Sequence, residues 1–355
     1  MGKLRKVLVR IEKVNFSLAQ EVQEKLDSLT KPRGSLGRLE EIVKRIVCIT
    51  GNFHPKIKNK VVFVMAGDHG VAEENVSAYP QEVTAQMVYN FLKGGAGINV
   101  LARHIRTKVI VVDMGVAGKL QIADRKLQNF KDKKINYGTK NFTKGPAMTR
   151  DEAIKSLIAG IEVFEEEHRK CKIDLVAIGD MGIANTTSSS AITASICKKE
   201  VKEVIGRGTG ISGERLRNKI RVIKKALRLN KPNSEDGIDV LSKVGGFEIG
   251  GMAGIILGAV SKRVPVVIDG FISSASALIA YKLEPKIKDY LFAGHLSEEK
   301  GHKVILEYLN LKPILNLNLR LGEGTGAVLA MNIIEASVKI LNEMATFKEA
   351  GISEE

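Results

Sequence analysis

The chain of 355 residues contains no tryptophan, few aromatic residues of any kind and only three cysteines. Cys48, Cys171 and Cys197 are odd in number and far apart, which favours buried thiols over disulfides or a zinc cluster. No apolar run approaches the roughly 20 residues of a membrane span, and the N-terminus is too charged for a secretory signal. We therefore expect a soluble, cytoplasmic protein with no membrane partner.

Positive charge is in excess, because 55 Lys and Arg stand against 40 Asp and Glu and give a formal net charge of +15. Such an excess is typical of nucleic-acid binders, but here the cations are spread along the chain and mixed with acids. No basic stretch is interleaved with the aromatic residues that a single-strand binding surface requires. We interpret the charge as solvated surface that also attracts small anionic substrates. A charge-driven nucleic-acid binder is the alternative.

The pattern of apolar residues predicts the fold class. With 44% hydrophobic residues the chain can bury the core of one large domain or two. Strand-like runs alternate with helical patterns throughout, which predicts a parallel α/β sheet flanked by helices. The six predicted strands cover residues 60–66, 107–112, 173–178, 264–268, 289–292 and 314–319. The stretch from 116 to 145 lacks periodicity and is predicted to be a long excursion that covers the site.

The segments that follow the predicted strands carry the chemically informative residues. In parallel sheets ligands bind beyond the carboxyl ends of the strands, so these segments are expected to converge. They read GDHGV, DMGV, GDMGIANTT, DGFISS, AGHLSEE and RLGEGTGA. Acids, hydroxyls and glycines are present, whereas a nucleophilic cysteine and a serine elbow are not. This inventory favours general-base chemistry on a phosphorylated substrate over acyl transfer.

The last of these segments is centred on Glu323. Gly322 and Gly324 bracket this carboxylate, and a long apolar helical pattern follows. Glycines permit tight turns and close approach to a ligand, so Glu323 is expected at the open edge of the sheet. The alternative is a helix-capping role, because a Glu in a first turn interacts favourably with the helix dipole.

Two glycine-rich segments are candidates for binding a phosphate. In the first, Gly182 precedes a run of amide and hydroxyl side chains that begins at Asn185 and opens a predicted helix. In the second, residues 206–210 (GRGTG) precede a basic helix. Neither segment matches a Walker motif or a dinucleotide fingerprint. Together they favour a nucleotide or a sugar phosphate as ligand, and ordinary helix capping is the alternative for the first.

Asp68 and His69 lie side by side after the first predicted strand. Such a pair can ligate a metal or act as an acid and a base, but no second cluster of ligands accompanies it. We therefore expect a loop on the substrate side of the sheet, in which Asp68 positions other groups. Neither a metal nor another cofactor is expected.

The ordered motifs between residues 31 and 330 resemble those of a known family. They are KPRGSLGRLE, AGDHGV, SAYPQEVTAQMV, VDMGV, GTKNFTKGPAMTR, GDMGIANTTSSSAI, GRGTG, GGFEIGGMAG, VVIDGFISSASAL, AGHLSEEKGH and RLGEGTGA. In this order they closely resemble nicotinate-nucleotide:dimethylbenzimidazole phosphoribosyltransferases. The resemblance implies a Rossmann-like six-stranded parallel sheet in residues 56–329, a small helical domain from residues 1–55 and 330–355, and a homodimer. It also implies transfer of the phosphoribosyl group of nicotinate mononucleotide to 5,6-dimethylbenzimidazole or a related base, in cobalamin biosynthesis.

The resemblance also implies roles for individual residues, and the first concerns Glu323, which matches the catalytic base of the family. Positions around the nucleotide phosphate are matched by glycines, hydroxyls, an amide and one lysine. These residues are Gly182, Asn185, Thr186, Thr187, Gly208, Thr209, Gly210 and Lys219. A non-catalytic nucleotide-binding or regulatory protein on the same fold is the alternative, since a fold does not by itself fix a function.

Further matches concern the ribose and the accepting base. Asp269 and Ser297 match positions near the ribose or the base. The segment expected to line the benzimidazole pocket contains Tyr79, Gln86 and Met87. Many members have Glu where this chain has Asp180, whose side chain is one methylene shorter. This difference favours a water-mediated contact with the ribose in place of a direct one.

Overall fold

The computed structural model describes residues 2–122, 128–208, 210 and 212–353. Among the predicted site residues, Thr209 lies outside these ranges. The strands are β1 Lys60–Gly67, β2 Lys108–Gly115, β3 Phe130–Asp132, β4 Leu175–Met181, β5 Val266–Ile268, β6 Leu291–His295 and β7 Pro313–Leu315.

These strands form one parallel sheet in the order β3-β2-β1-β4-β5-β6-β7. The central strand β1 is buried along its whole length, as expected for the apolar run KVVFVMAG. The chain moves outward from β1 to β3 in one direction, and from β4 to β7 in the other. The order therefore reverses between β1 and β4, and such a switch point leaves a crevice at the carboxyl ends of the strands.

The parallel α/β class is confirmed, but the prediction of six strands is wrong by one. The additional strand, β3, pairs with β2 at the edge of the sheet and lies inside the stretch that was predicted to be irregular. It has three residues, which is too short to produce a periodic signal. The last predicted strand is also shorter than expected, because β7 ends at Leu315.

Helices connect the strands and cover the sheet. The α-helices are α1 Gly2–Val9, α2 Leu18–Asp27, α3 Arg38–Thr50, α4 Glu82–Lys93, α5 Gly97–His104, α6 Arg150–Lys170, α7 Asn185–Ile196, α8 Val201–Val204, α9 Gly213–Asn230, α10 Gly237–Val244, α11 Phe247–Val260, α12 Phe271–Leu283, α13 Lys300–Leu309, α14 Thr325–Glu343 and α15 Phe347–Ala350. Short 3-10 helices cover Gly70–Glu74 and Pro285–Tyr290. Within the described ranges, no helix is both long and apolar enough to cross a lipid bilayer.

The core lies between the sheet and its helices. Every residue of α11 is buried, as its small and apolar composition indicates, and this helix packs against α6, α12 and β1. On the C-terminal side of the chain, α14 packs against α3, α5 and β6. Helix α14 therefore begins at the carboxyl edge of the sheet and extends toward the helices of the N-terminus.

The two ends of the chain meet. Leu29 and Thr346 form an antiparallel bridge, in which the Thr30 N–H donates to the Ala345 carbonyl oxygen over 3.0 Å. The Phe347 N–H donates in turn to the carbonyl oxygen of Ser28 over 3.0 Å. These contacts tie the N-terminal helices to the C-terminal end of α14, and they are the contacts that a helical unit built from both chain ends requires.

Candidate active site

A cavity lies at the carboxyl ends of the strands on the β4 side of the switch point, and the segments after β1 and β2 do not line it. Its volume is about 110 Å³, and the segments that follow β4, β5, β6 and β7 surround it. The predicted residues that line it are Asp180, Gly182, Asn185, Thr186, Gly208, Ser297 and Gly322. Side chains that the sequence did not single out also line it, and these are His295, Glu299, Arg320, Phe271 and Leu321.

The turn that carries Glu323 has an uncommon backbone. Gly322, Glu323 and Gly324 adopt φ angles of 84°, 64° and 89°, so that three successive residues lie in the left-handed region. Glycines adopt this region without steric cost, whereas a residue with a Cβ loses about 1–2 kcal/mol there. A strained non-glycine residue between two glycines is typical of a functional turn.

The turn rests directly on the sheet at Gly179 of β4. A Cβ at Gly179 would lie 2.2 Å from the carbonyl carbon of Glu323 and 2.3 Å from the Gly324 nitrogen. The Glu323 N–H donates to the Asp180 carbonyl oxygen over 3.3 Å. The glycine in β4 therefore permits an approach of two backbones that any side chain would prevent, and it fixes the base of the Glu323 side chain.

The carboxyl group of Glu323 is buried at the N-terminus of α5. Its Oε2 atom accepts a hydrogen bond of 3.1 Å from the Ile98 N–H, and the residue is 5% exposed. Burial raises the pKa of this carboxyl above its ordinary value, the Ile98 N–H acts in the opposite direction, and the negative charge of Asp269 raises it further. Glu323 is thus a carboxylate whose proton affinity is increased, which is a requirement for a general base near neutral pH.

Two further carboxylates lie deep in the site. Asp180 accepts a hydrogen bond of 2.8 Å from the Asn185 Nδ2, and burial together with the charges of Asp269, Glu248 and Glu323 raises its pKa well above the ordinary value. Asp269 accepts from the Ala327 N–H over 2.8 Å, while its Oδ2 has no hydrogen-bond partner among the described residues. Burial also raises the pKa of Asp269.

A cationic pocket adjoins the main cavity beside Thr186 and Gly208. The ammonium of Lys219 is 1% exposed and donates to the Thr186 Oγ1 over 2.7 Å. Burial lowers the pKa of Lys219 to about 8. Thr186 and Gly208 border both the main cavity and a smaller one of about 30 Å³ that reaches Lys219. A cation, a hydroxyl and backbone N–H groups at the start of α7 suit an anion such as a phosphate.

Asp68 and His69 lie behind the cavity. Asp68 accepts hydrogen bonds from the Thr84 Oγ1 over 2.6 Å and from the Ala117 N–H over 2.8 Å. His69 is 0% exposed, with its Nε2 2.7 Å from a carboxylate oxygen of Glu248 and its Nδ1 2.9 Å from the Ser188 hydroxyl. These residues hold α4, α7 and α11 behind the site, and neither borders the cavity.

The structure does not bring every predicted residue to the cavity. Tyr79 is 55% exposed, Gln86 is exposed and Met87 is partly buried on α4, and none of the three lines it. Thr187 is buried in the first turn of α7, and Gly210 borders a neighbouring cavity of about 500 Å³.

Several charged residues of the site were missed by the sequence prediction. Arg320 donates to the Gly208 carbonyl oxygen over 3.4 Å, and Glu299 accepts from the Gly208 N–H over 2.8 Å. Both lie within segments that were expected to reach the site, but no feature of the sequence marked them. Glu248, whose charge contributes to the raised pKa of Asp180, is the one charged residue in the apolar sequence of α11. Throughout the described ranges, no group of three or more His, Cys, Asp or Glu is arranged to hold a metal ion.

Comparison with known proteins identifies the family. A model of a family described as phosphoribosyltransferase matches residues 11–352. The nicotinate-nucleotide–dimethylbenzimidazole phosphoribosyltransferase of Geobacter sulfurreducens is 54% identical over 360 residues, which cover 100% of this chain and 99% of the relative. The chain belongs to the nicotinate-nucleotide–dimethylbenzimidazole phosphoribosyltransferase family. Another member, from Chloroflexus aggregans, is 53% identical and covers 100% of this chain and 99% of its own length.

Solved structures of the family have the same fold. A crystal structure of nicotinate-nucleotide–dimethylbenzimidazole phosphoribosyltransferase from Thermus thermophilus superimposes with a TM-score of 0.89 at 44% identity. The superposition covers 95% of this chain and 99% of the other. The resemblance that the ordered motifs indicated is therefore confirmed for the family and for the fold, over nearly the full length of both chains.

Proposed function

We propose that this protein transfers the 5-phosphoribosyl group of nicotinate mononucleotide to 5,6-dimethylbenzimidazole or a related base. The products are α-ribazole 5′-phosphate and nicotinate, and the reaction serves cobalamin biosynthesis. The observation that carries the proposal is a buried carboxylate, Glu323, next in the chain to the cavity-lining Gly322, together with a buried cation, Lys219, whose partner Thr186 borders the same cavity. The carboxylate suits the role of a proton acceptor, and the cation suits a phosphate.

The chemistry requires one base and no general acid. In nicotinate mononucleotide the glycosidic bond joins C1′ of the ribose to a cationic pyridinium nitrogen. When this bond breaks, its electron pair remains on that nitrogen and the ring departs as neutral pyridine bearing its carboxylate. The accepting benzimidazole forms the new bond to C1′ through one nitrogen and loses the proton of the other. Attack opposite the leaving ring converts the β anomer into the α anomer.

Glu323 is the residue to which we assign the proton transfer. A positioned base of this kind contributes about 10² to 10⁴ in rate. Its raised pKa increases its affinity for the benzimidazole proton, and the hydrogen bond from the Ile98 N–H favours its ionised form. Asp180 lines the cavity, and Asp269 lies close enough for its charge to raise the pKa of Asp180. We assign both carboxyl groups to the region of C1′, where positive charge develops as the pyridinium leaves.

The phosphate of the nucleotide is assigned to the cationic pocket that adjoins the cavity. Lys219 supplies the positive charge, the Thr186 hydroxyl binds beside it, and the start of α7 supplies backbone donors. Gly182 and Gly208 bring the chain close on either side. Tyr79, Gln86 and Met87 are assigned to the accepting base, which approaches from the exposed side of the site.

We also propose a small helical domain from residues 1–55 and 330–355, a homodimer, and a cytoplasmic location. The bridge between Leu29 and Thr346 supports the domain. The exposed apolar side chains of Val100 and Leu321, which are 53% and 61% exposed beside the site, support a partner surface there. The thiols are free, which suits a reducing compartment. Light scattering of the purified protein tests the dimer, since a monomeric mass would contradict it.

A product assay tests the proposed transfer. The protein is incubated with nicotinate mononucleotide and 5,6-dimethylbenzimidazole, and the mixture is analysed by mass spectrometry and by NMR of the anomeric proton. We expect one new species with the mass of ribazole phosphate and the α configuration, together with an equal amount of nicotinate. A β product, or nicotinate released without a ribazole, would contradict the assignment.

A further inference from the structure

Glu299 is a buried carboxylate at the phosphate end of the site that the transfer chemistry does not use. It precedes α13, is 7% exposed, and its Oε1 accepts the Gly208 N–H over 2.8 Å. Its other oxygen lies against the same glycine-rich loop, because a Cβ at Gly206 would be 2.0 Å from Oε2. The carboxyl group is therefore enclosed by the loop of residues 206–208 and fixes its distance from the sheet.

Lys219 lies on the other side of the same loop. A Cβ at Gly208 would be 3.0 Å from the Thr186 Oγ1 and 3.6 Å from the Lys219 Nζ. Across the residues that the structure describes, Lys219 forms no ion pair, and Thr186 is its hydrogen-bond partner. A lone ammonium in this position loses its hydration and has only distant charges to compensate it.

Glu299 supplies that compensation through the loop. Burial lowers the pKa of Lys219 to about 8, and the negative charge of Glu299 is the effect that raises it. Without this carboxylate the ammonium would lose its proton at a lower pH. Gly208, which separates the two charges, is therefore bound from one side by the carboxylate and packed from the other by the ammonium and its threonine.

We propose, on the basis of the phosphoribosyl transfer proposed above, that Glu299 is a positioning residue for the phosphate of the nucleotide. It does not touch the substrate. It holds the loop at Gly208 so that the N–H groups of the loop and the Lys219 ammonium face one anion, and it keeps Lys219 charged when the phosphate arrives. The cation is then available to the phosphate without a carboxylate in direct contact competing for it.

Two substitutions separate the hydrogen bond from the charge. Glu299→Gln keeps an oxygen that accepts the Gly208 N–H but removes the charge, whereas Glu299→Ala removes both. Glu298→Gln is the matched control, because Glu298 is an exposed carboxylate that directly precedes Glu299 in the sequence. Binding of nicotinate mononucleotide is measured by calorimetry at several pH values above neutrality, where its phosphate is a dianion. Circular dichroism checks that each variant is folded.

Each substitution has its own expected result. Glu299→Ala weakens binding at least about tenfold, as expected when a charge-assisted hydrogen bond that orders a loop is lost. It raises KM for the nucleotide in that proportion and changes kcat by less than about threefold. Glu299→Gln binds nearly as tightly as the unchanged protein near neutral pH. As the pH is raised, its affinity falls at a lower pH than that of the unchanged protein, because Lys219 then loses its proton at a lower pH. Glu298→Gln leaves both the affinity and its pH dependence unchanged.

Other results would overturn the proposal. Unchanged binding and an unchanged pH midpoint in both Glu299 variants would show that Glu299 has no such role. Tighter binding in Glu299→Gln would show that the carboxylate repels the phosphate. Failure of the unchanged protein to bind the nucleotide would refute the proposed function itself, and with it this role. If the unchanged protein binds the nucleotide and both Glu299 variants bind it with the same affinity and pH dependence, only the proposed role of Glu299 is refuted.

Discussion

Glu323 combines a left-handed backbone, a buried carboxyl group and, among the described residues, one hydrogen bond at that carboxyl. The φ angle of 64° directs the side chain away from the path of the chain, and the two flanking glycines allow the turn to close on both sides. The carboxyl group meets the Ile98 N–H and the charge of Asp269, which affect its pKa in opposite directions. The position of the base is thus set by the backbone, and its proton affinity by burial and two neighbours.

Gly179→Ala tests whether the backbone sets that position. The three heavy atoms nearest to the added Cβ would be backbone atoms of Glu323 and Gly324, which cannot move aside as a flexible side chain can. We expect a loss of about 1–3 kcal/mol in the free energy of unfolding and a fall of roughly a hundredfold in kcat, because a shift of about 1 Å at a reacting group costs that much.

Thermal unfolding and steady-state kinetics measure the two effects of Gly179→Ala. Gly118→Ala is the control, since a Cβ at that exposed position meets nothing within 4 Å. A Gly179→Ala variant with the kcat of the unchanged protein would show that the turn tolerates displacement.

Single residues also show what the sequence could and could not predict. Glu323 could be proposed as a site residue from the sequence, because glycines on both sides of a carboxylate are a local signal. The environment of His69 was not, because its partner Glu248 is 179 residues away along the chain. Glu299 was missed for the same reason, since Gly208 is 91 residues away. Local patterns identify candidates, whereas long-range packing decides which of them reach the cavity.

At the scale of elements, α5 and α14 meet at the turn that carries Glu323. Helix α14 begins directly after Gly324, and the N-terminus of α5 donates the Ile98 N–H to Glu323. Unpaired N–H groups at a helix start stabilise the ionised form of a carboxylate. The N-terminus of α5 therefore counteracts part of the effect of burial on the pKa of Glu323.

Ile98→Pro tests this contribution of α5. Proline is tolerated in the first turn of a helix but has no N–H, so the hydrogen bond to Glu323 is lost. The pKa of Glu323 then rises further, and because only its ionised form accepts the proton, the acid limb of kcat against pH moves to higher pH. Ile98→Ala also removes the buried side chain but keeps the N–H, and we expect its acid limb to stay in place. If the acid limb lies at the same pH in Ile98→Pro and Ile98→Ala, the Ile98 N–H does not contribute to the pKa of Glu323.

Elements with strong local signals were the ones predicted best. The segment TRDE at residues 149–152 carries the sequence pattern of a capping box. In the structure the Glu152 N–H donates to the Thr149 Oγ1 over 3.1 Å, the Thr149 N–H donates to the Glu152 Oε2 over 2.8 Å, and α6 begins there. The edge strand β3 was missed because three residues are too few to show a periodic pattern of apolar residues. Its strand conformation depends on hydrogen bonds to β2, which are non-local.

At the scale of the whole molecule, the side-by-side order of β4, β5, β6 and β7 gathers the residues that line the cavity. It brings together segments that are far apart in the chain, from Gly182 to Gly322, at one edge of the sheet. Helix α14 joins this edge to the paired chain ends. The fold class followed from the alternation of strands and helices, whereas the assembly of the cavity required the three-dimensional arrangement.

The charges at the two ends of the site predict the pH dependence of the whole reaction. Glu323 must be ionised, so activity rises with pH through its raised pKa. Lys219 must be protonated to hold the phosphate, so kcat/KM for the nucleotide falls as pH rises through the Lys219 pKa of about 8. We expect a bell-shaped profile for the nucleotide. In Lys219→Met we expect the basic limb to disappear and KM for the nucleotide to rise. If the basic limb persists in this variant, it arises from the titration of another group.

The most direct test of the central claim is the turnover number of Glu323→Gln. The amide keeps the size of the side chain and accepts the Ile98 N–H, but it cannot take a proton from the benzimidazole. We expect kcat to fall by at least about a hundredfold, with nucleotide binding and thermal stability close to those of the unchanged protein. A kcat within a few fold of the unchanged protein would contradict the account, because the proton would then leave by another route.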